Sequence, residues 1–167
     1  ATGTGTITQT DGTSVLKLDT TGTIANAMSI YNVVSNQTVT LSGAITAQNT
    51  TYDVATGTTL SINGSIGGSG GVTKEGNGTL ELNAANTFTG DTEINFGTLE
   101  ANASGSLANT GNITVNGGSL LVGANNAIND SAAMDLAGGT LAFNGTVSDS
   151  IGALTLSADS IIDLGTG

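Results

Sequence analysis

The sequence predicts an all-β fold in which short strands stack as the coils of a solenoid. Three observations lead to this prediction. Apolar residues recur about every 20 residues, polar and apolar residues alternate around each of them, and glycine or asparagine separates one alternating stretch from the next. Alternation with a period of two gives a strand one dry face. Glycine and asparagine accept the backbone geometry of tight turns, so they mark the corners between strands.

The apolar repeat can be followed along the whole chain in two rows. Members of the first row are 19 to 23 residues apart. They are Leu16, Val39, Leu60, Leu80, Leu99, Leu120, Leu141 and Ile162. The second row contains Val34, Val54, Val72, Ile94, Val115, Leu136 and Leu156. From Ile94 onward the two rows keep the same spacing.

Rows of this kind favour stacked coils over a sandwich. In a solenoid like residues one coil apart lie on one another, whereas the hairpins of a sandwich do not need a repeated apolar row. We therefore predict about eight coils of roughly 20 to 21 residues. With a rise of about 4.8 Å per coil, the rod would be on the order of 40 Å long.

The composition agrees with a narrow aliphatic core. The 167 residues include 26 glycines and no proline, cysteine, histidine or tryptophan, and aromatic residues make up 3%. Proline would remove a donor from the hydrogen bonds between coils. Because large aromatic side chains are scarce, valine, isoleucine and leucine must fill the interior. We expect Phe88, Phe96 and Phe143 to pack in stacks or at corners.

The charge of the chain excludes two classes of partner. The net charge is −11, and the only cationic side chains are Lys17 and Lys74. Phosphate backbones and anionic lipid surfaces are bound through clusters of lysine and arginine. We therefore expect no nucleic-acid partner and no direct membrane insertion. No apolar run approaches the roughly 18 residues of a membrane span.

The stretch from 71 to 99 resembles a known family. Residues 71–82 read GVTKEGNGTLEL and residues 86–99 read NTFTGDTEINFGTL. This is similar to the autotransporter-associated β-strand repeat, whose pattern is roughly G-[LV]-T-K-x-G-x-G-T-L-x-L, then N-[TS]-[YF]-[TS]-G-x-T-x-[IV]-x-x-G-T-L. The departures are Asp91, where glycine is common, and Phe96, where a small residue often stands. Later coils resemble the family more loosely.

The resemblance implies a right-handed parallel β-helix in the passenger of a bacterial type V secreted protein. Such a passenger is carried across the outer membrane by a C-terminal barrel and is then secreted or displayed at the cell surface. In that family the repeat is associated with passenger folding and transport, and the passengers often serve as adhesins. The chain would then be a structural stalk. Its expected partners would be the rest of the passenger, the barrel, host or bacterial surface molecules, or another copy.

The domain organisation is expected to be simple. The period runs through the chain, and neither terminus looks like a cap that would close a solenoid. The chain also begins at Ala1 without a methionine. We therefore expect residues 1–167 to be a single β-helix segment, cut from the interior of a longer passenger.

A glycan-active enzyme is the alternative function, because parallel β-helices include polysaccharide lyases and hydrolases. Lyase chemistry of that kind needs a cation near a carboxylate, and the chain has no arginine and two distant lysines. Hydrolysis needs two carboxylates at a suitable separation. Asp91 and Glu93 share one strand face, and Glu81 or Glu100 is expected to approach them from neighbouring strands. All four occupy the polar phase of the alternation, which favours solvated surface residues.

We therefore predict that the chain is not an enzyme and has no catalytic residue, cofactor or metal site. Residues 67–71 read GGSGG and resemble the start of the calcium-binding nonapeptide G-G-x-G-x-D. Val72 stands where the ligand aspartate would be, and the nine-residue repeat is missing. Asp159 and Asp163 flank the last coil, and we expect them to be surface charges.

Overall fold

The computed structural model describes residues 5–165, and all regular secondary structure in that range is β-strand. In chain order the strands are β1 (Ile7–Thr8), β2 (Leu16–Leu18), β3 (Gly22–Ile24), β4 (Met28–Ser35), β5 (Val39–Leu41), β6 (Ile45–Val54), β7 (Thr59–Ile62), β8 (Ile66–Gly67), β9 (Val72–Glu75), β10 (Thr79–Leu82), β11 (Thr92–Ile94), β12 (Thr98–Ala101), β13 (Ile113–Val115), β14 (Ser119–Val122), β15 (Met134–Ala137), β16 (Thr140–Phe143), β17 (Leu154–Ala158) and β18 (Ile161–Asp163). Over these residues no helix has the length and apolar character that a membrane crossing takes.

The strands form two parallel sheets that share every turn of the chain. The larger sheet has the order β1, β4, β6, β9, β11, β13, β15, β17, with β2 also beside β4 and β8 also beside β6. The smaller sheet has the order β3, β5, β7, β10, β12, β14, β16, β18. From β2 to β8 and again from β9 to β18 the chain alternates between the two sheets, so each turn lies on the one before it. The predicted all-β solenoid is confirmed, with about seven turns against the predicted eight or so.

The predicted row in the smaller sheet is confirmed from Val39 to Ile162, because each member lies in register with the next. The assignment of Leu16 to this row was wrong. Leu16 lies in β2 of the larger sheet, opposite Val33, and Gly22 takes the position beside Val39. The segment around Leu16 alternates like a strand of either sheet, and a glycine gives no apolar signal.

The predicted row in the larger sheet is confirmed only from Ile94 onward, where Val115, Leu136 and Leu156 follow in register. The earlier members were predicted as Val34, Val54 and Val72, and these were wrong. The residues in register before Ile94 are, in order, Lys74, Tyr52, Val33 and Leu16. The pattern of aliphatic residues does not include Lys74 or Tyr52, although both side chains point into the core.

The interior is the narrow aliphatic core that the composition predicts. Buried valine, isoleucine and leucine side chains form one cluster that passes through the turns, and Leu99 and Leu120 are both fully buried. Phe88 is buried and Phe143 packs against the cluster, as expected. Phe96 is 54% exposed, so the expectation that it packs at a corner was wrong. It lies in the link between β11 and β12.

A third side of each turn has little regular strand but is still bonded to its neighbours. The amide of Thr87 donates to the carbonyl of Ile66 over 2.8 Å. The amide of Leu107 donates to the carbonyl of Ala127 over 2.7 Å, and Leu107 forms an isolated parallel bridge with Ile128. The inter-turn hydrogen bonds therefore continue where strands are not assigned.

Candidate functional site

The carboxylates considered for hydrolysis are separated by the fold. Glu93 lies in β11 of the larger sheet, and Asp91 immediately precedes that strand. Glu81 and Glu100 lie opposite each other in β10 and β12 of the smaller sheet. The expectation that Glu81 or Glu100 approaches Asp91 and Glu93 was therefore wrong, because β10 and β12 belong to the smaller sheet and β11 belongs to the larger one.

These carboxylates accept hydrogen bonds from adjacent turns. A Glu93 oxygen accepts a bond from the Asn116 side-chain amide at 2.8 Å, and an Asp91 oxygen accepts one from the Asn112 backbone amide at 2.7 Å. Ser61 donates its hydroxyl to Glu81 at 2.6 Å. A carboxylate that joins two turns in this way has a structural use.

The calcium-like stretch places an apolar side chain at the position of the ligand aspartate. Val72 is buried in β9, so the position of the missing aspartate points into the core. Asp163 accepts a bond from the amide of Gly165 at 2.9 Å at the exposed end of the chain. Between residues 5 and 165 there is no group of three or more histidine, cysteine, aspartate or glutamate side chains placed to hold a metal.

The most unusual group in the chain is the ammonium of Lys74, which is buried at a corner. Lys74 follows Val72 at a spacing of two in β9 and so points to the same inner face. Its Nζ donates to the carbonyls of Glu75 at 2.6 Å, Gly76 at 2.7 Å and Phe96 at 3.3 Å. The first two carbonyls belong to its own turn and the third to the next. One side chain thus ties two successive corners together.

Burial perturbs the electrostatics of this lysine. Loss of hydration lowers the pKa of Lys74 to about 8, and the carboxylates of Asp53 and Glu75 offset part of this effect. Just before it in the same row, Tyr52 is also fully buried, and its hydroxyl has no hydrogen-bond partner. The larger sheet therefore carries two polar groups in an otherwise apolar row.

The lowered pKa of Lys74 predicts that stability rises with pH above neutrality. Between pH 8 and about pH 10 an unfolded lysine still holds the proton that the folded one has lost. The free energy of unfolding should therefore increase across that window by about 2 kcal/mol. Burial raises the pKa of Tyr52, which opposes the increase at higher pH. Urea unfolding at a series of pH values measures the slope.

Two methionine variants test the origin of that slope. Lys74→Met keeps the apolar stem but cannot titrate, so its stability should be nearly flat over the window. Lys17→Met changes the other, exposed lysine and should keep the rise. An equal slope in the Lys74→Met variant would show that another group is responsible.

At the corner that holds Lys74, the backbones of two successive turns lie close together. Gly97 has a φ of 65°, which favours glycine. A Cβ atom at Gly97 would lie 2.4 Å from the Gly78 carbonyl oxygen and 2.9 Å from the Lys74 Nζ. The glycine thus lets the ammonium reach the carbonyls of both turns.

On the third side of the turns, the buried Asn86 links successive turns, as Lys74 does at its corner. The Asn86 side chain accepts a bond from the amide of Ile66 at 2.8 Å and donates one to the carbonyl of Ser106 at 2.8 Å. These partners lie one turn to either side, so the Asn86 side chain links three successive turns. Its neighbour Phe88 fills the core beneath this side.

Asparagine side chains at the corners form amide ladders between successive turns. Asn83 donates to Asn63 at 2.9 Å, and Asn102 donates to Asn83 at 3.2 Å. At another corner Asn116 donates to Asn95 at 2.6 Å. Each ladder joins like residues in successive turns and satisfies polar groups that the corners leave open.

Sequence reasoning missed the inward direction of Lys74 and the bridging role of Asn86. The signal for Lys74 was present, because strict alternation from Val72 assigns it to the buried face. Asn86 gave no comparable signal, since an asparagine in a glycine-rich stretch usually marks an exposed turn. Both residues belong to the segment whose motif is most distinctive.

That segment is similar to known proteins. A family model described as Passenger-associated-transport-repeat matches residues 72–101, which extend from the start of β9 to the end of β12. Among curated proteins, the Adhesin BmaC autotransporter of Brucella suis biovar 1 (strain 1330) is 56% identical over 39 residues. This match covers 23% of the chain and 1% of that adhesin, so the chain spans a very small part of its relative's length. No solved structure matches the chain.

Proposed function

We propose that the chain serves as a structural stalk whose turns fold on one another. The premise is that the chain is part of an autotransporter passenger and carries a passenger-associated transport repeat at residues 72–101. The observation that supports this most directly is the unbroken register of the smaller sheet, in which every strand from β5 to β18 aligns with the next.

The mechanism of the stalk follows from its hydrogen bonds and core. Each turn offers the following one a row of backbone donors and acceptors and a strip of aliphatic side chains. In such an array stability is roughly a sum over turns and the contacts between neighbours, so folding can start at one place and spread. A chain that emerges gradually at the cell surface can therefore fold turn by turn, which supports its transport.

We propose that residues 1–167 form one segment from the interior of a longer passenger. Support comes from the last strands, where Leu156 is 60% and Ile162 is 44% exposed although they continue buried rows. A following turn would cover them. The partners of the segment would be the rest of the passenger and a C-terminal barrel. The segment would then lie at the bacterial surface or in the medium.

A display experiment tests the stalk function. The chain is placed between a secretion signal and an autotransporter barrel, and its arrival at the surface is followed by antibody labelling and protease resistance. The native chain and Leu121→Asp, an outward-facing change, should reach the surface as a resistant fragment. Leu120→Asp, which breaks the core, should reduce the resistant fragment severely. Equal display of both variants would contradict templated folding as the basis of transport.

Adhesion is a further part of this proposal, supported by the adhesin relative. It is tested by coating beads with the chain and measuring clumping and attachment to bacterial or host cells. Beads coated with an unrelated acidic protein serve as the control. Attachment at the control level would leave the chain a passive stalk.

We further propose that the chain has no enzymatic activity, with glycan hydrolysis by surface carboxylates as the alternative. The separation of Glu81 and Glu100 from Asp91 and Glu93 supports the proposal. Incubation with a panel of polysaccharides should give no turnover. Turnover that is lost in Glu93→Gln would overturn this part of the proposal.

A further inference from the structure

Asparagine is followed directly by glycine at four corners of the chain, and this pair of residues can react with itself. The pairs are Asn63–Gly64, Asn77–Gly78, Asn116–Gly117 and Asn144–Gly145. The backbone nitrogen of the glycine can attack the side-chain carbonyl carbon of the asparagine, because glycine has no side chain that hinders the approach. The reaction therefore requires a glycine amide that is free to lose its proton and an asparagine side chain that is free to rotate.

In two of the pairs the fold holds the glycine amide. The amide of Gly64 donates to the carbonyl of Leu41 at 3.2 Å, and the amide of Gly78 donates to the carbonyl of Val54 at 2.9 Å. Gly78 is also tightly packed, since a Cβ atom there would lie 2.3 Å from the carbonyl oxygen of Ala55. Both nitrogens are therefore protected from deprotonation and cannot move toward the preceding side chain.

In two of the pairs the fold holds the asparagine side chain. Asn63 accepts a bond from the side chain of Asn83 at 2.9 Å. The side-chain amide of Asn116 donates to Glu93 at 2.8 Å and to Asn95 at 2.6 Å. These side chains must leave their partners before they can turn toward the glycine nitrogen.

In the pair Asn144–Gly145 neither group is held. Within residues 5–165 the side chain of Asn144 and the backbone amide of Gly145 make no hydrogen bond to another group of the chain. Asn144 is exposed, and a Cβ atom at Gly145 would meet nothing within 4 Å. The following turn is in place here, because a Cβ atom at Gly165 would lie 2.7 Å from the carbonyl oxygen of Phe143. Both reacting groups thus stay free in the stacked solenoid.

A glycine one turn earlier explains why the side chain of Asn144 is free. Asn83, Asn102, Gly123 and Asn144 occupy the same corner in successive turns, since each donates its backbone amide to the end of the preceding strand of the smaller sheet. Asn102 and Asn83 are joined through their side chains at 3.2 Å. Gly123 has no side-chain amide to offer, so the ladder ends one turn before Asn144.

We propose that Asn144 is a site of spontaneous deamidation, which converts it to aspartate or isoaspartate in the folded chain. The Gly145 nitrogen loses its proton to solvent and bonds to Cγ of Asn144. The bond from Cγ to Nδ2 then breaks, and Nδ2 takes up a proton and leaves as ammonia. Water opens the resulting cyclic imide. Cleavage at Cγ gives aspartate, and cleavage at the backbone carbonyl carbon gives isoaspartate, whose main chain runs through the former side chain.

Either product changes this corner of the solenoid. Each adds one negative charge to a chain whose net charge is already −11. Isoaspartate also lengthens the main chain directly after β16, where the backbone amide of Asn144 donates to the carbonyl of Val122 at 3.0 Å. The reaction therefore marks the age of the chain at one defined corner and alters the backbone on which the next turn lies.

The four pairs allow a matched comparison within one molecule. The purified chain is incubated at mildly alkaline pH, the products are separated by anion exchange, and peptide mapping by mass spectrometry locates them. In the folded chain Asn144 should convert first. Its rate should exceed that of Asn77 by about fivefold or more, because attack at Asn77 must first break the hydrogen bond of the Gly78 amide. Asn63, in which both groups are held, should be the slowest.

Unfolding removes the protection and provides the reference rates. In guanidinium chloride the four pairs should convert at similar rates, since each has glycine as the attacking residue. The rate at Asn144 in the folded chain should also rise with pH, because the Gly145 amide must lose a proton before it attacks. Conversion of Asn63 or Asn77 as fast as Asn144 in the folded chain would overturn the proposal. So would an Asn144 that stays intact in the folded chain but converts in guanidinium chloride.

Two variants test the assignment to this corner. Asn144→Gln should remove the first product, because a glutamine must close a larger ring and does so much more slowly. Gly123→Asn supplies the missing ladder amide, and it should slow the conversion of Asn144. The side chain of Asn102 must turn to admit it, since a Cβ atom at Gly123 would lie 2.3 Å from Oδ1 of Asn102. Circular dichroism verifies that both variants keep the β fold. An unchanged rate in a folded Gly123→Asn variant would overturn the role given to the ladder.

Discussion

Replacing Leu120 by aspartate is expected to remove most or all of the stability of the solenoid. Leu120 is fully buried in β14 and stacks between Leu99 and Leu141 in the smaller sheet. Truncating a buried leucine costs about 2 to 5 kcal/mol, and an unpaired buried carboxylate adds to that loss. The expected decrease is about 5 kcal/mol or more, which is comparable with the whole free energy of unfolding of many domains.

The neighbouring residue provides a matched control for this change. Leu121 belongs to the same strand but faces outward and is only partly buried. Leu121→Asp introduces the same side chain one position away, and it should alter the free energy of unfolding by no more than about 1 kcal/mol. Urea unfolding followed by circular dichroism measures both variants. Similar losses in the two would mean that the row through Leu120 is not the core.

Replacing Gly97 by alanine is expected to be the second most damaging of these changes. An added Cβ would lie 2.4 Å from the carbonyl oxygen of Gly78, closer than real Cβ contacts. The residue also has a φ of 65°, which costs an alanine about 1 to 2 kcal/mol. Because the clashing atom belongs to the backbone of the preceding turn, the corner must shift. A total loss of about 3 to 4 kcal/mol is expected.

Gly145 separates the two causes of that loss. It has the same φ of 65°, but a Cβ there would meet nothing within 4 Å. Gly145→Ala should therefore cost only the conformational part, about 1 to 2 kcal/mol. The difference between the two alanine variants, measured by thermal and urea unfolding, reports the close approach of turns at the Lys74 corner. Equal losses would mean that the turns separate there without cost.

The period of the sequence was sufficient to predict the stacked turns and most of one core row. Leucines such as Leu99, Leu120 and Leu141 give a strong signal, because they alternate with polar residues and recur at a constant interval. The sequence could not assign Leu16 to a sheet, since both sheets use the same alternation. The choice between them depends on where corners form in three dimensions.

The polar interior was harder to predict than the apolar one. Lys74 and Tyr52 occupy the core row of the larger sheet, but their residue types are more common at the surface. The burial of Lys74 depends on carbonyls of two different turns meeting at one corner. The use of Asn86 as a bridge likewise depends on a side where strands are missing.

The direction of the inter-turn hydrogen bonds determines how the stalk responds to tension. These bonds run along the long axis, so a pull on both ends acts on one junction between turns after another. Opening a junction releases about 21 residues, which can extend to roughly 70 Å, whereas the folded turn occupies about 4.8 Å. Under load a stalk of the proposed kind would lengthen in large separate steps, and each step would lower the force on the rest of the tether.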